Sequence, residues 1–320
     1  MIKIGTIGTS AISEEFVESS KQQELGQVVA CYSRELEKAN EFIKKMELNA
    51  KGYDSLEEIA QDIDAVYIAS PNGLHYQQAK FFLERKVNVF VEKPITFTLP
   101  ELEDLINIAE VNEVVLLEAY KGYHLPQFRP LQHTVEMGQP KVATLIMNQY
   151  SSRMGDIKNG IYNSVFDDKL GKGSTYDMLV YPVGLAVGLF GKVKESKSFT
   201  SRLSNESGIT NIVILEHENG MLTNITCSKQ SHQTVDSEIC FDDMNITIGQ
   251  ITKLENVVIR NFVKRIAPVR IDNVEQKDPF YYETKAFLEM VSNQDFKRMK
   301  KYLEMNKQTI KVLENTEMGN

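Results

Sequence analysis

Cysteine is scarce in this chain, with three in 320 residues. Cys31, Cys227 and Cys240 stand too far apart to suggest a disulfide framework or a zinc cage. The five histidines, His75, His124, His133, His217 and His232, lack ligand spacing, so no metal is expected. No apolar run approaches the roughly 20 residues needed to cross a bilayer. The chain opens on Met1-Ile2-Lys3-Ile4-Gly5 with no charged leader, which points to a cytoplasmic protein. Positive charge is not in excess either. The net charge of −8 and a pI near 5.4 argue against nucleic acid or an anionic membrane as partner and leave a small molecule.

What is present is ordinary globular composition, 42% hydrophobic and 25% charged, at a length suited to two domains. Over residues 1–122, short apolar strands alternate with amphipathic helices, the pattern of a parallel sheet with helices on both faces. Strands are expected over 3–7, 27–32, 64–70, 87–93 and 113–117. Ser33 is read as the cap of a helix running to 45, Ser55 with Glu58 as a capping box, and Thr98 with Glu101 as another, with Pro100 in its first turn. Five or six such units make a nucleotide-binding Rossmann domain.

From residue 123 to 320 the pattern changes. Segments 142–150, 195–203, 210–216, 221–228, 237–241 and 245–249 alternate apolar and polar residues as half-buried antiparallel strands do. Asn219-Gly220 reads as a two-residue hairpin turn. One apolar helix is expected over 174–190, and 281–310 is helical with a loop near 292–295. The second half is therefore an α+β domain with a large, mainly antiparallel open sheet.

The segment richest in chemistry is 87–94, a strand ending in Glu92-Lys93-Pro94. A cation at the carboxyl end of a parallel strand stands where open α/β sheets bind ligands, and the proline keeps the lysine backbone extended. The first strand runs into Gly8-Thr9-Ser10-Ala11-Ile12-Ser13. Gly8, Ser10 and Ser13 occupy the three small-residue positions of a dinucleotide fingerprint, so Gly8, Thr9, Ser10, Ala11 and Ile12 are candidate pyrophosphate contacts. Ser70, Pro71, Asn72 and His75 follow another strand and belong to the same sheet edge. His75 admits two readings, a direct ligand contact or a ring satisfied by backbone. At the tip of the second strand, no acid follows Cys31-Tyr32 to bond ribose hydroxyls. Ser33, Arg34 and Lys38 stand there, which favours a 2′-phosphate and hence NADP over NAD, although Arg34 can also simply cover the adenine. Asp177 and Tyr181 are four residues apart, on one face of an otherwise hydrophobic helix, and need polar partners. Pro182 cannot bond the Met178 carbonyl and loosens the helix beside them.

Glu92-Lys93-Pro94, Ser70-Pro71-Asn72 with His75, Glu118-Ala119-Tyr120 and the Gly173/Asp177/Tyr181 segment together resemble the Gfo/Idh/MocA family: glucose–fructose oxidoreductases, inositol dehydrogenases, dihydrodiol dehydrogenases and their relatives. The resemblance covers essentially the whole chain in order. It implies an NAD(P)-dependent oxidoreductase that moves a hydride between nicotinamide and a carbinol or carbonyl carbon of a sugar, polyol or diol. It also implies homodimers or higher oligomers formed through the C-terminal sheet. Lys93, Asp177 and Tyr181 would be catalytic, with Tyr181 as general acid/base beside the Lys93 ammonium and Asp177 as orienting group. Glu92 and Lys93 join the cofactor-binding set. Tyr123 and Leu125 stand where many relatives have arginine and histidine, a departure expected to alter the substrate pocket. Because the same fold also serves a regulator, a dinucleotide-binding sensor without turnover is the alternative.

Overall fold

The computed structural model describes residues 1–264, 266–272, 275 and 277–319. The chain forms two compact units, one of Met1–Tyr120 with Lys277–Glu304, the other of Lys121–Gln276 with Met305–Asn320. The expected division at 122/123 lies two residues from the first break, but the second half is not continuous. Residues 277–304 return to the first unit, where Phe280 and Phe287 pack against Tyr67 and Phe90.

The first unit alternates β1 (Ile2–Ile7), α1 (Ala11–Ser20), β2 (Gly26–Tyr32), α2 (Leu36–Lys45), β3 (Lys51–Tyr53), α3 (Leu56–Asp62), β4 (Ala65–Ile68), α4 (His75–Leu83), β5 (Asn88–Glu92), α5 (Leu99–Asn112) and β6 (Leu116–Ala119). The strands form one parallel sheet in the order β3-β2-β1-β4-β5-β6. Both faces are covered, so β4 and β6 are buried at every residue. The order reverses between β1 and β4, and the loops leaving those two strands flank the crevice such sheets use for ligands.

Two local expectations shift. Glu35, not Ser33, occupies the N-cap of α2. The last strand starts at Leu116 because α5 persists to Asn112 and Glu113 closes it in the left-handed region, φ 53°. The Thr98/Glu101 capping box forms as read.

The second unit contains α6 (Phe128–Gly138), β7 (Val142–Asn148), α7 (Met154–Lys158), α8 (Ser174–Asp177), α9 (Val180–Phe190), β8 (Val193–Arg202), β9 (Gly208–His217), β10 (Leu222–Ser228), β11 (Ser237–Cys240), β12 (Met244–Ile248), β13 (Val257–Asn261) and β14 (Val269–Ile271). Its sheet runs β14-β13-β12-β11-β7-β10-β9-β8, with β7 and β10 parallel and the other pairs antiparallel. The β13–β14 hairpin went unread. Alternate residues of β9 and β10 face inward: Ile209, Asn211, Val213 and Leu215, and Thr223, Ile225 and Cys227. The β9–β10 connection is not a two-residue turn. His217 N–H donates to the Met221 carbonyl at 2.9 Å and Gly220 N–H to the His217 carbonyl at 2.9 Å. This three-residue loop needs positive φ at Gly220 alone, φ 81°.

The chain closes with α10 (Pro279–Asn293) and α11 (Phe296–Met318). In the first unit, Phe287 of α10 stacks on Phe90 at 5.0 Å, and Phe280 meets the edge of Tyr67 at 6.4 Å. Tyr67 itself stacks on Phe16 at 4.0 Å. Each fully buried phenylalanine contributes roughly 1.5–3 kcal/mol, which explains why α10 docks here. Among the described residues no helix is long and apolar enough to cross a membrane.

Candidate active site

In the first unit, Gly8 leaves β1 with φ 105°, and a Cβ there would lie 2.9 Å from the Ala69 carbonyl oxygen. Only glycine suits this position, so the turn stays narrow where β1 hands over to α1. The backbone is tied on both sides, with Gly8 N–H donating to the Tyr32 carbonyl at 3.1 Å and Ala69 N–H to the Ile7 carbonyl at 2.9 Å. Ser10 caps α1 without spending its side chain on the helix. The Ser13 hydroxyl is buried and has no hydrogen-bond partner among the described residues. Thr9, Ser10, Ala11 and Ile12 line the accessible turn. Open amides at a helix start, a glycine cradle and an unspent hydroxyl are the features a dinucleotide pyrophosphate uses.

Beyond β2, Ser33 N–H bonds the Tyr53 carbonyl at 3.1 Å. Arg34 is exposed. Lys38 Nζ sits 2.6 Å from Glu35 Oε1, both side chains more than half exposed, so much of its charge is met locally.

After β4, the Ser70 hydroxyl donates to Gln78 Oε1 at 2.6 Å, while Pro71 and Asn72 form the turn entering α4. His75 is fully buried. Its Nδ1 lies 2.8 Å from the Pro94 carbonyl and its Nε2 2.9 Å from the Ser70 carbonyl. Both nitrogens lie against backbone carbonyls, as in the backbone reading, so the ring braces the two loops. Burial, and secondarily the nearby Lys93, keep its pKa below the ordinary histidine value against the pull of the two carbonyls.

Glu92 is likewise inward, 8% exposed, with Oε1 accepting the Tyr67 hydroxyl at 2.7 Å. Burial, with Glu92, Glu283 and Glu15 nearby, holds the Tyr67 phenol far above its usual range, so it stays a donor. Glu92 therefore anchors the strand and is not an accessible cofactor contact. One residue past Pro94, Ile95 N–H donates to Glu118 Oε1 at 2.8 Å. Lys93, half-buried, sits on a segment pinned at Glu92, Pro94 and Ile95, and its peptide with Pro94 is cis. Tyr67 was the anchor the sequence hid, because it reads as one more apolar residue of β4.

In the second unit, the expected helix over 174–190 breaks at Met178 and Leu179 into α8 and α9. Pro182 is the cause, since it offers no N–H to the Met178 carbonyl, which instead accepts from Tyr181 at 3.1 Å. Asp177 thus ends one helix and Tyr181 lies in the first turn of the next. The uniform face read from their spacing is absent. Every residue of α9 is buried except Tyr181, which is half-buried.

Asn211, fully buried, grips the start of α8. Its Oδ1 accepts the Ser174 hydroxyl at 2.6 Å and its Nδ2 reaches Thr175 Oγ1 at 3.2 Å. Gly173 precedes α8 with φ 70°, and a Cβ there would meet the Gly208 carbonyl at 2.1 Å. Asp177 Oδ2 accepts a short hydrogen bond from Lys229 Nζ. Lys229 is 6% exposed and was not anticipated. The available signal was parity: it continues the inward series Thr223, Ile225, Cys227.

Tyr123 and Leu125 are core residues, not pocket walls as expected. Tyr123 donates to the Gly184 carbonyl at 3.0 Å and packs edge-on against Phe128, and Leu125 is 2% exposed.

The family model described as an oxidoreductase family with an NAD-binding Rossmann fold matches residues 2–120, and the GFO/IDH/MocA C-terminal domain model matches 131–247. The chain is 34% identical over 320 residues to scyllo-inositol 2-dehydrogenase (NADP(+)) IolU of Bacillus subtilis, covering 98% of this chain and 95% of that one. It is 25% identical over 233 residues to trans-1,2-dihydrobenzene-1,2-diol dehydrogenase of Danio rerio, covering 71% and 68%. In fold it is similar to KijD10, a 3-ketoreductase of Actinomadura kijaniata crystallised with NADP and TDP-benzene, at TM-score 0.87 and 18% identity over 99% of this chain and 97% of that one.

Proposed function

This chain belongs to the Gfo/Idh/MocA oxidoreductase family, and on that footing we propose that it is an NADP(H)-dependent dehydrogenase or reductase of a polyol, sugar or vicinal diol, with Lys93, Asp177 and Tyr181 acting on one substrate. The observation that carries the reading is the three-point pinning of the segment around Lys93 by Tyr67, His75 and Glu118. A cation braced this firmly at a parallel-strand end is suited to hold a reacting group, not merely to solvate a surface.

A nicotinamide held here would supply or accept the hydride. The chain's residues do the rest. The Gly8–Ile12 turn and the first amides of α1 would hold the pyrophosphate of such a cofactor, with Ser70, Pro71 and Asn72 as further contacts. Ser33 and Arg34 would meet a ribose 2′-phosphate, and Lys38, partly met by Glu35, would add less. Tyr181 takes the proton of the substrate hydroxyl in oxidation and returns it to the oxygen in reduction. Lys93 favours the negative charge that develops on the phenol and substrate oxygens, and Asp177 accepts a hydrogen bond from a substrate hydroxyl. A polyol offers several such hydroxyls, and the relative with near-complete coverage acts on scyllo-inositol.

The reading includes a homo-oligomer formed through the outer face of the large sheet. Phe199 is 83% exposed and pairs in register with Ile212, itself 45% exposed, with Ile214 and Leu222 alongside. An exposed apolar patch of this kind is usual at a subunit interface. It also includes a cytoplasmic location, consistent with three free thiols, and a small-molecule partner in place of nucleic acid. Following reduced-cofactor absorbance with NADP+ and scyllo-inositol, other inositols, aldoses and a trans-dihydrodiol tests the activity. Tight NADPH binding without turnover across that panel favours the sensor. Light scattering of the native protein and of Phe199→Asp tests the assembly, for which a monomeric native protein is the contrary result.

A further inference from the structure

Lysine is almost never buried unless its charge is met, and removing an ammonium from water costs several kcal/mol before any partner repays it. Lys229 is such a residue. Its side chain is 8% exposed, and the carboxylate it meets, Asp177, is 29% exposed. The pair is therefore asymmetric, with the cation behind and the acid in front. Lys229 also has little freedom to move. Its N–H donates to the Ile209 carbonyl at 2.9 Å, its carbonyl accepts from Ser151 at 2.8 Å, and its Nζ lies 5.8 Å from the ring centroid of the buried Phe166. At the other end of α8, Asn211 fixes Ser174 and Thr175. A one-turn helix has almost no stability of its own. The orientation of Asp177 is thus set from outside, by Asn211 at the start of the turn and Lys229 at its end.

We propose that Lys229 is a positioning residue for the reaction, holding Asp177 fixed in direction from its buried side. This rests on the reading of Asp177 as part of the active site. A buried ion pair by itself is a poor stabilising device and is often matched or bettered by apolar residues of similar volume. A pair whose anion alone reaches the surroundings is better explained by what that anion must do. Misplacing a reacting group by about 1 Å can cost on the order of a hundredfold in rate.

The test compares Lys229→Met, Lys229→Arg, Asp177→Asn and the double variant Lys229→Met/Asp177→Asn. Steady-state kinetics use NADP+ with scyllo-inositol or whichever polyol of the panel turns over, and NADPH affinity and urea unfolding are measured in parallel. The expected result is a kcat about 10- to 100-fold lower in Lys229→Met, with NADPH affinity unchanged, KM moved less than threefold and the fold intact. Lys229→Arg should recover most of the rate, and the double variant should be no slower than Asp177→Asn alone. An unchanged kcat in Lys229→Met, or losses that multiply in the double variant, overturns the inference. If Asp177→Asn itself turns over normally, the active-site reading fails with it. If Asp177→Asn is slow and Lys229→Met is not, only the positioning role fails. A readout independent of turnover, and of whether Lys229→Met folds, is the side-chain ammonium signal of 15N-lysine-labelled protein at low temperature. One slowly exchanging signal should be present in the native chain and lost or displaced in Asp177→Asn. Its persistence unchanged in Asp177→Asn overturns the pairing.

Discussion

His75 Nδ1 lies 2.8 Å from the carbonyl oxygen of Pro94, so one buried ring fixes the residue that follows Lys93. Its Nε2 lies 2.9 Å from the Ser70 carbonyl, so the same ring joins the loops leaving β4 and β5. Both carbonyls favour an imidazolium, but burial outweighs them and the pKa is depressed. His217, bonded to Gly191 and Thr223, is depressed by burial as well.

A stability profile follows. As pH falls through the ordinary histidine value of 6.5, the unfolded chain takes up protons that the folded chain refuses. Folding stability is therefore full above that value, declines as pH drops below it, and levels off beneath the depressed folded pKa values. The slope is at most about 1.4 kcal/mol per pH unit for each histidine. Urea unfolding between pH 5 and 8 measures it, and His217→Gln should flatten the decline. A profile independent of pH across that window contradicts the burial argument.

Gly8→Ala should weaken NADPH binding by roughly tenfold or more, because the substitution combines a positive φ with a close approach to Ala69, a strain of about 1–3 kcal/mol. Fluorescence titration of NADPH, with circular dichroism to check the fold, decides this. An unchanged affinity means the turn does not carry the pyrophosphate.

Arg34→Ala should reduce NADPH affinity by about 5- to 150-fold, equivalent to 1–3 kcal/mol for a charged hydrogen-bonded contact, and leave NADH nearly unaffected. Lys38→Ala should matter less, since Glu35 already meets that ammonium. Equal losses for both cofactors in Arg34→Ala identify the side chain as a cover for the adenine.

The features legible in the sequence were those fixed by local chemistry. Gly8 could be read because the turn tolerates nothing else, Lys93 because a proline follows a strand, and the Thr98 capping box because its partners are three residues apart. Tertiary partners were not legible. Glu92 looked like a ligand group until Tyr67, 25 residues away, was found to donate to it. Lys229 meets an acid 52 residues earlier in the chain, and nothing local distinguishes it from a strand-end lysine except its inward parity. Tyr123 and Leu125 looked like pocket residues because they stand where many relatives carry arginine and histidine, yet Tyr123 bonds Gly184 and packs on Phe128, and Leu125 is buried. Pro182 signals a loosened helix, but the four-residue spacing of Asp177 and Tyr181 suggests an unbroken one. The return of α10 to the first unit depends on Phe280 and Phe287 finding Tyr67 and Phe90, a choice between two sheets that local pattern does not encode.

The central claim is hydride transfer between nicotinamide and a carbinol carbon with Tyr181 and Lys93 in the proton and charge roles. It is tested most directly by incubating the protein with NADP+ and scyllo-inositol, or the polyol of the panel that turns over, deuterated at its carbon positions. The mass of the reduced cofactor is then followed in single turnover for the native chain, Tyr181→Phe and Lys93→Ala. The account predicts deuterium in the NADPH formed by the native protein, and a rate lower by about two to four powers of ten in each variant with cofactor affinity little changed. NADPH without deuterium, or a Tyr181→Phe variant that transfers it at the native rate, contradicts the account.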